Sequence, residues 1–137
     1  MQNQSNTQVL SSNEKGKHAE LLAATAFLAN GYTVMEPISP QPYDLAVKHP
    51  KSRKVSFVQV KTAYLRDTPE DIKRYGHAYL RVPGVKNKGA IYTKDEVDLF
   101  AAVWEGEVYI FPNREIQDYW VLPEKVSEKW TKLERGI

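Results

Sequence analysis

Tyr43-Asp44-Leu45-Ala46-Val47-Lys48 and Val55-Ser56-Phe57-Val58-Gln59-Val60-Lys61-Thr62 are two alternating runs joined by the polar turn His49-Pro50-Lys51-Ser52-Arg53. Side chains alternate across a strand, so residues two apart share a face. The first run puts Tyr43, Leu45 and Val47 on one side, and Asp44 and Ala46 on the other. The second puts Val58 and Val60 on one side, and Phe57, Gln59 and Lys61 on the other. Two such runs about a polar turn predict a β-hairpin. If Val47 pairs with Ser56, Asp44 stands opposite Gln59; a register shifted by two stands it opposite Lys61. Either register brings Asp44, Gln59 and Lys61 to one face, whereas a shift by one sends Asp44 to the reverse side.

An acid, an amide and an ammonium on one sheet face are costly to bury unless they are paired. Two readings follow. In one, Asp44 and Lys61 form a buried ion pair that only fixes the register. In the other, a divalent cation such as Mg²⁺ relieves the cost, since it needs only one or two carboxylates besides water and phosphate. Asp44 is then the main ligand. The Gln59 side-chain oxygen and the backbone carbonyl at Val60 are neutral oxygens that complete the shell. Lys61 orients or deprotonates the attacking water and neutralises charge on a phosphorane.

Upstream, Ser11-Ser12-Asn13-Glu14 has the form of a capping box, and the stretch after it is rich in Ala and Leu up to Gly31. A helix is expected from about Ser12 to Asn30. On that helix Ala23, Ala24 and Phe27 share a side with Glu20, so Glu20 falls within the apolar stripe. It is either a solvated carboxylate beside a wide stripe or a partly buried one packed over the hairpin face. Residues 1–10 are mostly polar and are expected to fray.

Downstream, Gly31–Met35 reads as a short strand, and the three prolines within 37–42 exclude a helix there. Thr68-Pro69 opens a short helix over about 69–75. Ala78–Val82, Val97–Trp104 and Glu107–Phe111 read as strands, the last two joined by a tight Glu105-Gly106 turn. Short helices are expected from Pro112-Asn113-Arg114-Glu115 and over 124–134, where Val126, Trp130 and Leu133 have helical spacing.

At 137 residues, with one composition regime and no repeats, the chain is expected to form one domain over 1–137. It has no cysteine, which excludes a disulfide framework, a thiolate zinc site and a cysteine nucleophile. No apolar run approaches the roughly 18 residues of a membrane span, and no signal peptide is visible, so a cytoplasmic protein without a membrane partner is expected. The net charge of +2 says little by itself. Its distribution says more, because Lys48, Lys51, Arg53 and Lys54 cluster at the hairpin turn, Lys86 and Lys88 share a glycine-flanked loop, and Lys73-Arg74-Tyr75 form a third group. The acids gather over 95–107. These lysines and arginines are candidate phosphate contacts.

The N-terminal helix with Glu20, Tyr43-Asp44-Leu45 and Val58-Gln59-Val60-Lys61-Thr62 together resemble the PD-(D/E)XK nuclease superfamily. Pro42 stands two before Asp44, so the first motif reads P-Y-D. Gln59 replaces the usual second acid, which narrows the resemblance to intron-associated homing endonucleases of this superfamily. Tyr92-Thr93, Glu96–Val103 and Val108–Pro112 also look like that group's pattern. The similarity spans about residues 14–112. Archaeal Holliday junction resolvases share the layout.

The resemblance implies an α/β (mixed α+β) core of four or five strands flanked by helices, with the N-terminal helix followed by the central hairpin. It implies a site of Glu20, Asp44, Gln59 and Lys61, with Glu20 joining Asp44, Gln59 and the Val60 carbonyl around Mg²⁺ or Mn²⁺. The function it implies is metal-dependent cleavage of double-stranded DNA. Branched DNA as substrate is one alternative, and a DNA-binding module without catalysis is another. A domain this small cuts two strands only as a symmetric homo-oligomer, a dimer or tetramer. Tyr119, Trp120 and Trp130 are candidate interface residues.

Overall fold

The computed structural model describes residues 9–134. Helix α1, Ser12–Ala29, starts as expected: the Ser11 hydroxyl accepts the Glu14 N–H at 3.2 Å and the Glu14 carboxylate accepts the Ser11 N–H at 2.8 Å. Ala19, Ala23 and Phe27, four apart, form its buried ladder. Asn30 closes the helix and Gly31 follows at φ +84°, a conformation in which a side chain would be strained. Residues 1–8 of the expected frayed segment lie outside the described residues.

Next come β1 (Thr33–Met35), β2 (Leu45–Lys48), β3 (Val55–Thr62), β4 (Tyr64–Arg66), α2 (Pro69–Tyr75) and β5 (Tyr79–Pro83). Then follow β6 (Leu99–Trp104), β7 (Glu107–Pro112), β8 (Asp118–Val121), α3 (Val126–Lys129) and β9 (Thr131–Leu133). Six strands form a mixed sheet in the order β1-β2-β3-β6-β7-β9, and β4-β5-β8 form a second, smaller sheet. Only the β3–β6 pairing is parallel among these ladders. A parallel pair needs a long crossover, and the segment carrying β4, α2 and β5 supplies it.

The hairpin register is Leu45↔Val58 and Val47↔Ser56, the alternative that stands Asp44 opposite Gln59. At its turn the His49 N–H donates to Lys54 O and the Arg53 N–H to His49 O. Pairing β3 with β6 aligns Gln59 with Phe100 and Lys61 with Ala102, while Val58 and Val60 align with Leu99 and Ala101. The large sheet therefore has two distinct faces. Leu45, Val47, Val58, Val60, Ala101 and Val103 meet α1 in one core. Phe100, Ala102, Tyr109 and Phe111 meet Leu80, Val82, Tyr119 and Val121 of the small sheet in the other. Helix, large sheet and small sheet are stacked layers.

Four expectations need correction. Among the described residues there are nine strands in two sheets rather than four or five in one. Pro112–Glu115 forms no helix, because Glu115 is left-handed at φ +57° and Asn113 turns its side chain into the interior. The expected helix over 124–134 is only α3, since Trp130 is extended and Thr131–Leu133 pair with β7. Tyr119 and Trp130 are core residues, and only Trp120 of the three aromatics proposed for an interface is exposed.

Candidate active site

Asp44 stands immediately before β2, where the hairpin holds both its ends. Its N–H donates to Val58 O at 2.8 Å, and its Oδ2 accepts the Val60 N–H at 2.9 Å. Burial pushes the Asp44 carboxyl above its ordinary range, opposed by the Val60 hydrogen bond and the Lys61 charge.

Lys61 shares that face. Its Nζ donates to Val85 O at 3.1 Å and lies 5.3 Å from the centre of the Tyr92 ring. Burial lowers its pKa, and the Asp44 charge works against that. No Asp44–Lys61 ion pair within 4.0 Å exists among the described residues. The reading of these two as a register-fixing ion pair is thereby overturned, since Lys61 spends its hydrogen bond on a backbone carbonyl. Gln59 lies between them along the sheet, with Nε2 at 3.5 Å from Val60 O. Asp44, Gln59, Lys61, Val85, Lys86 and Tyr92 line an open cleft of about 450 Å³.

Glu20 does not pack over this face, which corrects the sequence expectation. The helix that carries it covers the opposite side, against Val58 and Val60. Glu20 is half-buried at 30% side-chain exposure, with Lys17 Nζ at 4.0 Å. Burial first, and then the Asp44 charge, raise its pKa. Glu20 thus reaches Asp44 electrostatically from the helix side.

The basic candidates divide. Lys86 is at the cleft, with Nζ 5.9 Å from the Tyr92 ring centre and 2.6 Å from Glu96 Oε2. Glu96 therefore contradicts the expected segregation of acids away from the basic loops. Lys88, left-handed at φ +70°, is exposed in the same loop. Lys48 shares the face of Asp44 by register. Lys51, Arg53 and Lys54 are exposed at the turn, the far end of β2–β3. At about 3.3 Å per residue, Val55 is some 20 Å along the strand from Lys61.

Sequence reasoning missed Val85 and the roles of Tyr92 and Asn113. Val85 acts through its carbonyl, which has no side-chain signature. The buried Asn113 Nδ2 donates to Tyr92 O, Thr93 O and Val97 O at 3.1, 3.2 and 2.9 Å. Its Oδ1 accepts the Glu115 N–H at 2.9 Å and the Tyr119 hydroxyl at 3.2 Å. One amide thus fixes the segment that carries Tyr92 against Lys61.

The donor set fits a hard divalent cation. Asp44 keeps one carboxylate oxygen without a protein donor among the described residues. The carbonyl of Val60 and the amide of Gln59 adjoin each other. Burial shifts the Asp44 carboxyl toward its neutral form despite the Val60 hydrogen bond and the Lys61 charge, and a cation beside it would favour the carboxylate. No group of three or more His, Cys, Asp or Glu side chains that could hold a metal ion converges among the described residues, here or elsewhere, so any ion in this cleft would rely on Asp44 with neutral oxygens.

Residues 10–128 match the family model described as PD-(D/E)XK endonuclease. Among solved structures, the chain is similar to a bacterial homing endonuclease, I-Ssp6803I, at 20% sequence identity and a TM-score of 0.59. That match covers 82% of this chain and 75% of the other, and it shows a shared fold. A comparison with curated proteins finds no match. No helix among the described residues is long and apolar enough to cross a membrane.

Proposed function

The chain belongs to the PD-(D/E)XK endonuclease family, and from that membership we propose a metal-dependent endonuclease that hydrolyses phosphodiester bonds of double-stranded DNA, of homing-endonuclease type. One observation carries the reading: Asp44 and Lys61 face one open cleft without pairing with each other. Asp44, the Gln59 amide oxygen and the Val60 carbonyl are the oxygens that would hold Mg²⁺, or Mn²⁺ in its place, with Glu20 adding only its charge from the helix side. Such an ion supplies Lewis-acid polarisation of the phosphodiester and a more acidic water.

The protein's own contribution is positional. The Val60 N–H fixes the Asp44 carboxylate, leaving one oxygen toward the cleft. Val85 O and the Tyr92 ring hold the Lys61 ammonium. From there Lys61 orients the attacking water and counters negative charge on the phosphorane. Its desolvated position eases proton loss, so it can also take the water's proton. Lys86 and Lys88 are placed to meet the flanking phosphates. Cutting both strands of a duplex requires a second site, so the active form is a homo-oligomer.

The test incubates the protein with supercoiled plasmid in Mg²⁺, in Mn²⁺ and in EDTA, alongside a four-way junction and a random linear duplex, and maps the ends. Cleavage is expected with either metal and not in EDTA, and roughly 100-fold less in Lys61→Ala. Preference for the junction assigns a resolvase-like enzyme. Binding without a nick under either metal assigns an inactive module and overturns the proposal.

A further inference from the structure

The outer face of the small sheet carries an aromatic surface that the cleavage site does not use. The register sets Tyr64, Arg81 and Trp120 abreast across β4, β5 and β8, with Arg66 beside Tyr79 in the next row. Tyr64, Tyr75 and Trp120 are 54%, 49% and 49% exposed. Large rings held this far into water mark an interaction site.

Their arrangement narrows the ligand. Tyr75 meets Tyr79 edge-on at 5.1 Å, Tyr79 meets Trp120 edge-on at 6.3 Å, and His77 lies nearly parallel to Trp120 at 25°. Together with Arg81 and Asp118 these four rings line a cleft of about 420 Å³, in the range of small-ligand sites. Inside it Arg81 is ion-paired with Asp118, which offers donors and an acceptor side by side. Base edges are read by such groups, guanidinium to carbonyl and ring nitrogen, and carboxylate to amino group.

The charge around the cleft fits a polyanion. Lys129 Nζ lies 4.6 Å from the Trp120 ring centre. Lys73 and Arg74, on the neighbouring α2, form no ion pair among the described residues. A second copy of the chain would be a poor occupant, because it would have to bury the Arg81–Asp118 pair and these cations against like charges. Strand β5 links this cleft to the catalytic one. From Arg81 the chain runs past the end of β5 at Pro83 and through Gly84 to Val85, whose carbonyl holds Lys61. Gly84 packs so closely on the segment that leads into β8 that a Cβ would collide with Ile116 O and the Tyr119 ring. Arg81 to Val85 is about 13 Å of extended chain, the length of about four stacked nucleotides.

We propose that the cleft formed by Tyr75, His77, Tyr79, Arg81 and Trp120 is a stacking site for an unpaired nucleobase of a nucleic-acid strand. The proposal rests on the reading of this chain as a protein that acts on DNA, but its test needs no cleavage. Ring stacking is sequence-tolerant and strong enough to hold a single strand beside a basic rim.

The experiment titrates the full chain with a ten-nucleotide oligo(dT) in EDTA, reading tryptophan emission and oligonucleotide anisotropy. Saturable binding with quenched emission is expected, because Trp120 is the exposed tryptophan of the cleft. Trp120→Ala and, separately, His77→Ala are each expected to weaken binding about tenfold while leaving circular dichroism unchanged. His77 is an exposed loop residue, so its variant decides the matter if Trp120→Ala misfolds. Absence of binding by the native protein, or folded variants that bind as it does, overturns the proposal. So does sedimentation showing that Trp120→Ala converts an oligomer into a monomer without DNA, which would make this face a contact between copies. A native protein that binds oligo(dT) here but never cuts plasmid leaves the stacking site standing and removes only the nuclease reading.

Discussion

Oδ2 of Asp44 accepts the Val60 backbone N–H at 2.9 Å, tying a carboxylate on one hairpin strand to the backbone of the other. The bond fixes the carboxylate but does not offset its burial, since the carboxyl is still shifted above its ordinary range. A raised carboxyl pKa means that the folded state binds more protons than the unfolded chain in the window from 3.8 upward. Stability contributed by this group therefore falls as pH rises through that window.

Asp44→Asn is expected to abolish cleavage and to stabilise the fold. The asparagine oxygen can still accept the Val60 N–H, and the buried charge is gone. The gain over the native protein is absent below the unfolded value of 3.8, grows as the folded Asp44 deprotonates, and is complete above its raised pKa. At pH 7 it reads as a higher Tm for Asp44→Asn than for the native protein. Thermal melts of both proteins from pH 3 to 8 check it. A Tm gap that does not change with pH would show that the carboxylate charge costs the fold nothing.

Asn113 is expected to matter for stability more than any other polar side chain near the site. Asn113→Ala leaves the Tyr92, Thr93 and Val97 carbonyls and the Tyr119 hydroxyl short of a buried partner. A loss of about 3 kcal/mol follows. Asn113→Asp is the sharper variant. A carboxylate still accepts from the Glu115 N–H and the Tyr119 hydroxyl, but it cannot donate to three carbonyls. Urea unfolding should place both variants well below the native midpoint, and a silent Asn113→Asp would refute the donor role.

The parts of this fold that were legible from sequence are those whose signal is local. Alternation on both sides of a polar turn gave the β2–β3 hairpin and the shared face of Asp44, Gln59 and Lys61. Ser11 and Glu14 gave the start of α1, and Glu105-Gly106, both at positive φ, gave the β6–β7 turn. What stayed hidden depended on distant pairing. Val126, Trp130 and Leu133 satisfy a helical period, yet pairing with β7 draws the last part into a strand. Glu20 lay in the apolar stripe as read, but periodicity cannot say which face of the sheet that stripe covers. The partner of Lys61 is a main-chain oxygen, so residue type carried no hint of it.

Two basic groups should contribute to DNA binding at different distances from the cut. Lys86→Met and Lys88→Met, at or beside the cleft, are each expected to lower the slope of log affinity against log salt by about 0.9 on any duplex that fills the site. Lys51, Arg53 and Lys54 are about 20 Å away along the hairpin, which corresponds to about six base pairs. Their triple methionine variant should reduce the slope on long duplexes only. Equal effects on a duplex shorter than that span would place the turn at the site instead.

Gln59 is the departure with a measurable consequence. An amide oxygen brings no charge to a divalent ion, so in the proposed site Asp44 would be the charged ligand. Gln59→Glu keeps the shape of the side chain, since the native amide makes only a 3.5 Å contact with Val60 O and the cleft beside it is open. The added carboxylate should tighten Mg²⁺ binding by about tenfold. The same charge makes the apo-protein less stable, because it joins Asp44, whose carboxyl burial already disfavours as an anion. Calorimetric titration with Mg²⁺ and apo melts of the two proteins read both effects together. Tighter binding with a lower apo Tm supports Gln59 as a ligand position. Unchanged Mg²⁺ affinity in a folded Gln59→Glu would place the ion out of reach of this residue.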